Sequence, residues 1–172
     1  MQNNFVYLRP SRLAYVRING AYETTIPAAW SKMLNWIERN GVGSALGRGF
    51  GLARDNPQTV PASQCRYDAC IILESHFEDR AMRELGILTL PGGPYVRRRE
   101  VGSYADIVTR VATLHTSFVV PKGLKLDSNR PLVTIYLDDP RRFEPGQLRA
   151  DMCIPVSAAV ARGRVAQPQA AA

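Results

Sequence analysis

The chain has 172 residues, 45% of them apolar and 22% charged, with a formal net charge of +7. That length and balance fit one compact domain, or two small units sharing a core, and exclude a largely disordered chain. No apolar stretch reaches bilayer-spanning length, and the three cysteines (Cys65, Cys70, Cys153) have neither disulfide-framework nor zinc-site spacing.

The polar start, Met1 to Asn4, leads straight into a strand-like run, so no signal peptide and a reducing cytoplasm are expected. Phe5 to Leu8 and Leu13 to Ile18, rich in β-branched and aromatic residues, predict two strands separated by Arg9-Pro10-Ser11. Gly20 breaks the second. Thr25 is the expected helix cap, with Pro27 in the first turn and Trp30, Met33, Leu34 and Ile37 as an apolar stripe ending before Gly41. Gly49 to Ala53 and Arg66 to Leu73 predict two more strands, with the Asp55-Asn56-Pro57 turn between them. Ser75 to Gly86 is charged and reads as a helical connector.

Ile87 to Leu90 and Tyr95 to Glu100 then predict strands around Pro91-Gly92-Gly93-Pro94. Ile107, Val111, Leu114 and Phe118 form a second helical stripe, and Val133 to Leu137 and Arg149 to Pro155 are the closing strands. From residue 157 the chain is Ala-, Gln- and Pro-biased and is expected to form a flexible tail.

The order of elements repeats. Gly20-Ala21-Tyr22 returns as Gly102-Ser103-Tyr104, an offset of 82. Asp55-Asn56-Pro57 returns as Asp138-Asp139-Pro140, and Arg66, Asp68 and Cys70 return as Arg149, Asp151 and Cys153, an offset of 83. The chain therefore reads as a duplication of about residues 5–74 and 87–156 within a single domain. One unit cannot bury both faces of its strands. The expected fold is α+β: tandem strand–helix–strand–strand units forming one antiparallel sheet, with two main helices on one face and a cleft at the join.

Gly20-Ala21-Tyr22-Glu23, Pro91-Gly92-Gly93-Pro94-Tyr95, Gly102-Ser103-Tyr104, Tyr136-Leu137-Asp138-Asp139-Pro140 and the two Arg-x-Asp-x-Cys strands together resemble the GyrI-like family. This is the effector-binding domain, a tandem SHS2 module, of bacterial AraC- and MerR-type drug-sensing regulators. The resemblance covers Val6 to Val156. It implies binding of amphipathic, often cationic or aromatic small molecules; some members are fused to DNA-binding domains, and a subset hydrolyses cyclopropane-containing genotoxins. Cation-binding members carry a glutamate two residues before the strand tyrosine of the Asp-Pro turn. Here that position is Thr134, which argues against a multidrug-cation specificity and against glutamate-dependent hydrolysis.

The candidate ligand contacts are Tyr22, Trp30, Gly51, Arg98, Tyr104, Thr134 and Tyr136. Thr134 and Tyr136 share a strand face, and Gly49, Gly51 and Ala53 on the equivalent strand leave room opposite them, or let a helix or backbone approach closely. Tyr22 and Tyr104 follow the matched glycines and serve either as aromatic walls or as packing that fixes the turn. Trp30, central in its stripe, reads as core before it reads as ligand wall. Trp36 lies off the stripe, at the cleft edge or the surface.

Arg98 and Glu100 fall on a face that should be buried, so they pair with each other or Arg98 meets a polar ligand group. Arg66, Asp68, Arg149 and Asp151 read as structural clamps. Cys70 and Cys153 read as buried hydrophobes, Cys65 as more exposed, and His115 as packed; His76 lies in the connector. Two distant histidines and no carboxylate cluster give no metal site, no cofactor and no catalytic residue.

The leading function is a binding module that senses or sequesters an amphipathic or aromatic molecule in transcription regulation. The alternatives are a hydrolase of a reactive genotoxin and a topoisomerase-inhibiting interaction protein. The basic charge, densest at Arg97-Arg98-Arg99 and then Arg141-Arg142, implies neither sequence-specific nucleic-acid binding by this chain nor membrane attachment. A DNA-binding regulator or a topoisomerase is the expected kind of partner.

Overall fold

The computed structural model describes residues 4–43, 48–139 and 141–159. Pro140, the first three residues and most of the expected tail lie outside the described residues. The first half comprises β1 (Asn4–Leu8), β2 (Ser11–Asn19), α1 (Tyr22–Arg39), β3 (Gly49–Ala53) and β4 (Arg66–Ile72). A connector helix, α2 (Glu78–Glu84), follows a single 3₁₀ turn. The second half comprises β5 (Gly86–Leu90), β6 (Gly93–Gly102), α3 (Tyr104–Ser117), β7 (Leu124–Leu126), β8 (Leu132–Tyr136) and β9 (Leu148–Ala158). No described helix is long and apolar enough to cross a membrane.

The start of α1 differs from the expected pattern. Gly20 takes φ +142°, so the chain turns there and α1 begins at Tyr22 with Ala21 as a cap lacking any side-chain bond. Thr25 is therefore not the cap but a buried residue inside the helix, and Pro27 lies in the second turn. In α3, Ser103 accepts the Asp106 N–H at 3.2 Å while the Asp106 carboxylate accepts the Ser103 N–H at 3.0 Å, a capping box.

The strands form one antiparallel sheet in the order β1-β6-β9-β8-β3-β4-β2-β5, with β7 added beside β9. The halves meet at β3 and β8, where Gly51 pairs with Thr134, the residue equivalent to it in the repeat. A pseudo-twofold axis thus passes through that pair. The opening strands are exchanged between halves: β1 pairs with β6 and β5 with β2. Two-residue links join β1 to β2 and β5 to β6, although each link connects opposite ends of the sheet, so the sheet must curl until its ends approach.

The helices cover the outer face of the curl. Ile26, Met33 and Ile37 of α1 and Ile107, Val111 and Leu114 of α3 pack on Ala14, Tyr67, Ile71, Met152 and Ile154. The concave face holds a second core of Leu13, Phe50, Leu52, Cys70, Leu90, Tyr95, Val133 and Cys153, buried by curvature rather than by a helix. Three expectations change for packing reasons. Trp36 is buried, its ring 6.1 Å from that of Phe77, because the connector folds over α1. Cys65 is buried under the preceding segment, its thiol 3.7 Å from the Val60 carbonyl. Ser157 and Ala158 belong to β9 because β7 pairs with them.

Candidate functional site

Each half is pinned by the same ion pairs. Arg66 donates to Asp55 from its backbone N–H (2.8 Å), Nε (2.9 Å) and Nη2 (2.7 Å), tying the turn after β3 to the start of β4. Arg149 holds Asp138 by the same three bonds. On the concave face Asp68 accepts from Arg17 at 2.6 and 2.9 Å and also from Arg54. Asp151 accepts from Arg99 at 2.7 and 2.9 Å, with Arg97 3.6 Å away. These residues are structural clamps. Arg98 and Glu100 pair with each other at 2.6 Å, and Arg110 of α3 closes on the same carboxylate at 2.6 Å. The buried charge is thereby balanced within the protein.

With the halves fixed in this way, a cavity of about 400 Å³ opens between α1, α3 and the junction of β3 with β8. Its walls are Trp30 and Leu34 of α1, Gly49 of β3, Tyr104 and Ile107 of α3, and Tyr136 of β8. Both halves contribute. Gly49 must be glycine here, since a Cβ would run into the Trp30 indole. The Trp30 and Tyr136 rings meet edge to face with centroids 5.1 Å apart, and the Tyr104 ring lies 6.4 Å from that of Tyr136. Asp138, Asp139, Leu148 and Arg149 form the rim. Both carboxylates are occupied, Asp138 by Arg149 and Asp139 by Arg141 at 2.8 Å. These guanidinium contacts hold both aspartates below the usual carboxylate range.

Of the seven candidate contacts, Trp30, Tyr104 and Tyr136 line this cavity. The other four do not. The Tyr22 hydroxyl is bonded to the backbone of Asp55, donating to its C=O at 2.7 Å and accepting its N–H at 3.0 Å. Arg98 is engaged with Glu100. Gly51 and Thr134 share the helix-side face with Tyr136, but Thr134 is buried at the axis. The space over Gly51 is taken by the Tyr67 ring, into which a Gly51 Cβ would project. That strand is glycine-rich because aromatic rings lie against it.

Tyr67 is the residue that sequence reasoning missed. Fully buried, it accepts the Trp30 Nε1–H at 3.1 Å and shares a 3.1 Å hydrogen bond with the Tyr136 hydroxyl. It hides inside the first Arg-x-Asp-x-Cys motif as the unspecified residue. The signal was its repeat partner, Ala150: a large ring against a methyl, on a strand beside glycines. Burial raises the Tyr67 and Tyr104 hydroxyls well above their ordinary range and pushes Tyr136 up to about 12, so all three stay protonated near neutrality.

An α+β domain whose two halves repeat one element order, with an aromatic-walled cavity where they meet, is a small-molecule-binding class of architecture. The chain belongs to the GyrI-like small molecule binding domain family, whose model matches residues 1–157. A curated relative, described as a DNA gyrase inhibitor from Erwinia billingiae (strain Eb661), is 24% identical over 160 residues, covering 92% of this chain and 99% of its own. Among solved structures, the EcmrR C-terminal domain matches with TM-score 0.65 at 12% identity, covering 92% of this chain and 98% of that one. SAV2435 bound to tetraphenylphosphonium matches with TM-score 0.59 at 12% identity, covering 91% and 94%. At these identities the structural matches establish the fold.

Proposed function

We propose that this chain binds an amphipathic or aromatic small molecule in the cavity between Trp30, Tyr104 and Tyr136, and acts as a ligand sensor or sequestering protein linked to transcription regulation. The observation that carries this reading is the gathering of three aromatic side chains from both halves around a space of drug-like size. Two structural neighbours accord with it: the C-terminal domain of EcmrR, and SAV2435 bound to tetraphenylphosphonium, an aromatic cation. The free, buried cysteines accord with action in the cytoplasm.

Hydrolysis fits less well. A general acid or base needs a group that exchanges a proton near neutrality, whereas Asp138 and Asp139, each paired with an arginine and held below the usual carboxylate range, have no proton to give and little basicity to take one.

The test uses Nile red, an aromatic dye whose emission rises and shifts to the blue on leaving water. Wild-type protein should bind it saturably. Leu34→Trp should fill the cavity and weaken binding at least about tenfold, more than 1.4 kcal/mol, while the circular dichroism stays native. Unchanged affinity in the folded variant refutes the site.

A further inference from the structure

Tyr22 and Tyr104 hold equivalent places at the starts of α1 and α3, yet their hydroxyls are treated differently. Tyr22 has the backbone of Asp55 as partner in both directions and the Arg66 carbonyl at 3.4 Å. The matching backbone groups in the second half belong to Asp138 and Arg149. The Tyr104 hydroxyl reaches none of them, and its buried oxygen has no hydrogen-bond partner among the described residues. An unmet buried hydroxyl is unfavourable, so one at the end of a side chain that lines a cavity marks where a ligand group gains a hydrogen bond by moving in against it.

Tyr136 adds to this. Trp30 donates to Tyr67, and when Tyr67 donates onward to Tyr136 the Tyr136 proton has no acceptor among the described residues. Tyr104 and Tyr136, two residues of the cavity wall, then each carry a phenolic proton without an acceptor among the described residues. A carbonyl oxygen, with two lone pairs, can accept both. The rim contributes no unpaired carboxylate, since Asp138 and Asp139 are each held by an arginine. Nothing among the described lining residues therefore supplies the free anion that would favour a cation over a neutral molecule.

The geometry points to a neutral aromatic ligand carrying a carbonyl-type hydrogen-bond acceptor, whose oxygen takes the Tyr104 hydroxyl. This rests on the cavity being the ligand site. Tyr104 sets specificity, the aromatic walls supply affinity, and the ligand is oriented with its polar atom toward α3 and β8.

Three flat tricyclic probes separate the possibilities by displacing Nile red: fluorene (neutral, no acceptor), fluorenone (neutral, one carbonyl) and 10-methylacridinium (a cation). Wild-type protein should bind fluorenone about tenfold more tightly than fluorene, the effect of one or two neutral hydrogen bonds at a buried donor. It should also bind fluorenone more tightly than 10-methylacridinium. In Tyr104→Phe the fluorenone-to-fluorene ratio should fall to near one. The infrared C=O band of bound fluorenone should lie lower in wild type than in the variant. Equal binding of fluorene and fluorenone by wild type overturns the inference, as does a preference that survives Tyr104→Phe or a stronger preference for the cation. If Nile red binds and Leu34→Trp abolishes it, the cavity stands whatever the ratios show. If Nile red does not bind, the cavity reading falls and takes this inference with it. Should Tyr104→Phe fail to fold, the wild-type ratio and carbonyl frequency decide alone.

Discussion

In the first half Arg66 holds Asp55 at 2.8, 2.9 and 2.7 Å; in the second, Arg149 holds Asp138 at the same three distances. Asp68 with Arg17 is likewise repeated by Asp151 with Arg99. The side chains facing the axis are not repeated. Trp30 corresponds to Ala112, Tyr67 to Ala150 and Tyr136 to Ala53, so three large rings lie toward one side of the pseudo-twofold axis. The duplicated polar frame fixes how the halves dock, and substitution at a few inward positions turns a symmetric junction into a one-sided cavity.

The sharpest way to break the frame is to remove its buried carboxylates. Asp68 is fully buried between Arg17 and Arg54, whose side chains are 33% and 25% exposed. Asp68→Ala leaves both guanidinium groups without their counter-charge and should destabilise the protein by about 3 kcal/mol, reduced from a fully buried pair because water reaches the arginines. Asp151→Ala should cost less, about 2 kcal/mol, since Arg99 is 47% exposed and can turn to solvent. Urea denaturation of the two variants checks the order. A larger loss at Asp151 would mean that partner exposure does not control the difference.

Tyr22 and Tyr104 test the asymmetry with one atom each. Tyr22→Phe removes two hydrogen bonds to the Asp55 backbone and leaves those groups unmet, a loss of about 1–2 kcal/mol. Tyr104→Phe removes a hydroxyl with no partner among the described residues, and should leave stability within about 0.5 kcal/mol of wild type or raise it slightly. Equal losses in the two variants would show that Tyr104 is a structural tyrosine after all.

The repeat made most of the fold legible. Matched residues at offsets of 82 and 83 placed the halves in register, and glycine breaks, Asp-Pro turns and two apolar stripes gave the element order. The clamp residues were readable for the same reason: a polar pair that recurs at constant spacing, once on each strand, has a shared structural task. The exchange of β1 and β5 was hidden, because a strand's sequence shows which face it buries but not which neighbour it meets. At the site, Trp30, Tyr104 and Tyr136 could be nominated from the motifs, whereas the sequence left open whether the space over Gly51 is empty or filled. Missing side-chain volume in one strand is often filled by a ring from the next, and Tyr67 does so here. Trp36 and Cys65 looked peripheral because the connector and the segment before β4 carry too little pattern to reveal that they cover anything.

The smallest effect concerns the two Asp–Arg clamps, where the comparison predicts equality. Asp55 and Asp138 are each held below the ordinary range, chiefly by hydrogen bonds from the Arg66 and Arg149 side chains. A folded-state value below the unfolded value of about 3.9 means that stability from each pair is fully present above that value. It is lost as pH falls through the lower folded value, when the carboxylate protonates in both states. Arg66 and Arg149 are 47% and 49% exposed, so screening should hold each contribution below about 1 kcal/mol. Asp55→Asn and Asp138→Asn should therefore lose similar amounts at pH 7, within about 0.5 kcal/mol of each other. In each case the gap to wild type should be smaller at about pH 3 than at pH 7 and narrow with added salt. Urea denaturation at the two pH values measures this. A markedly larger pH-dependent loss at Asp138, on the cavity rim, would show that the lower-dielectric surroundings of the cavity strengthen that clamp, and that the frame is less symmetric in energy than in geometry.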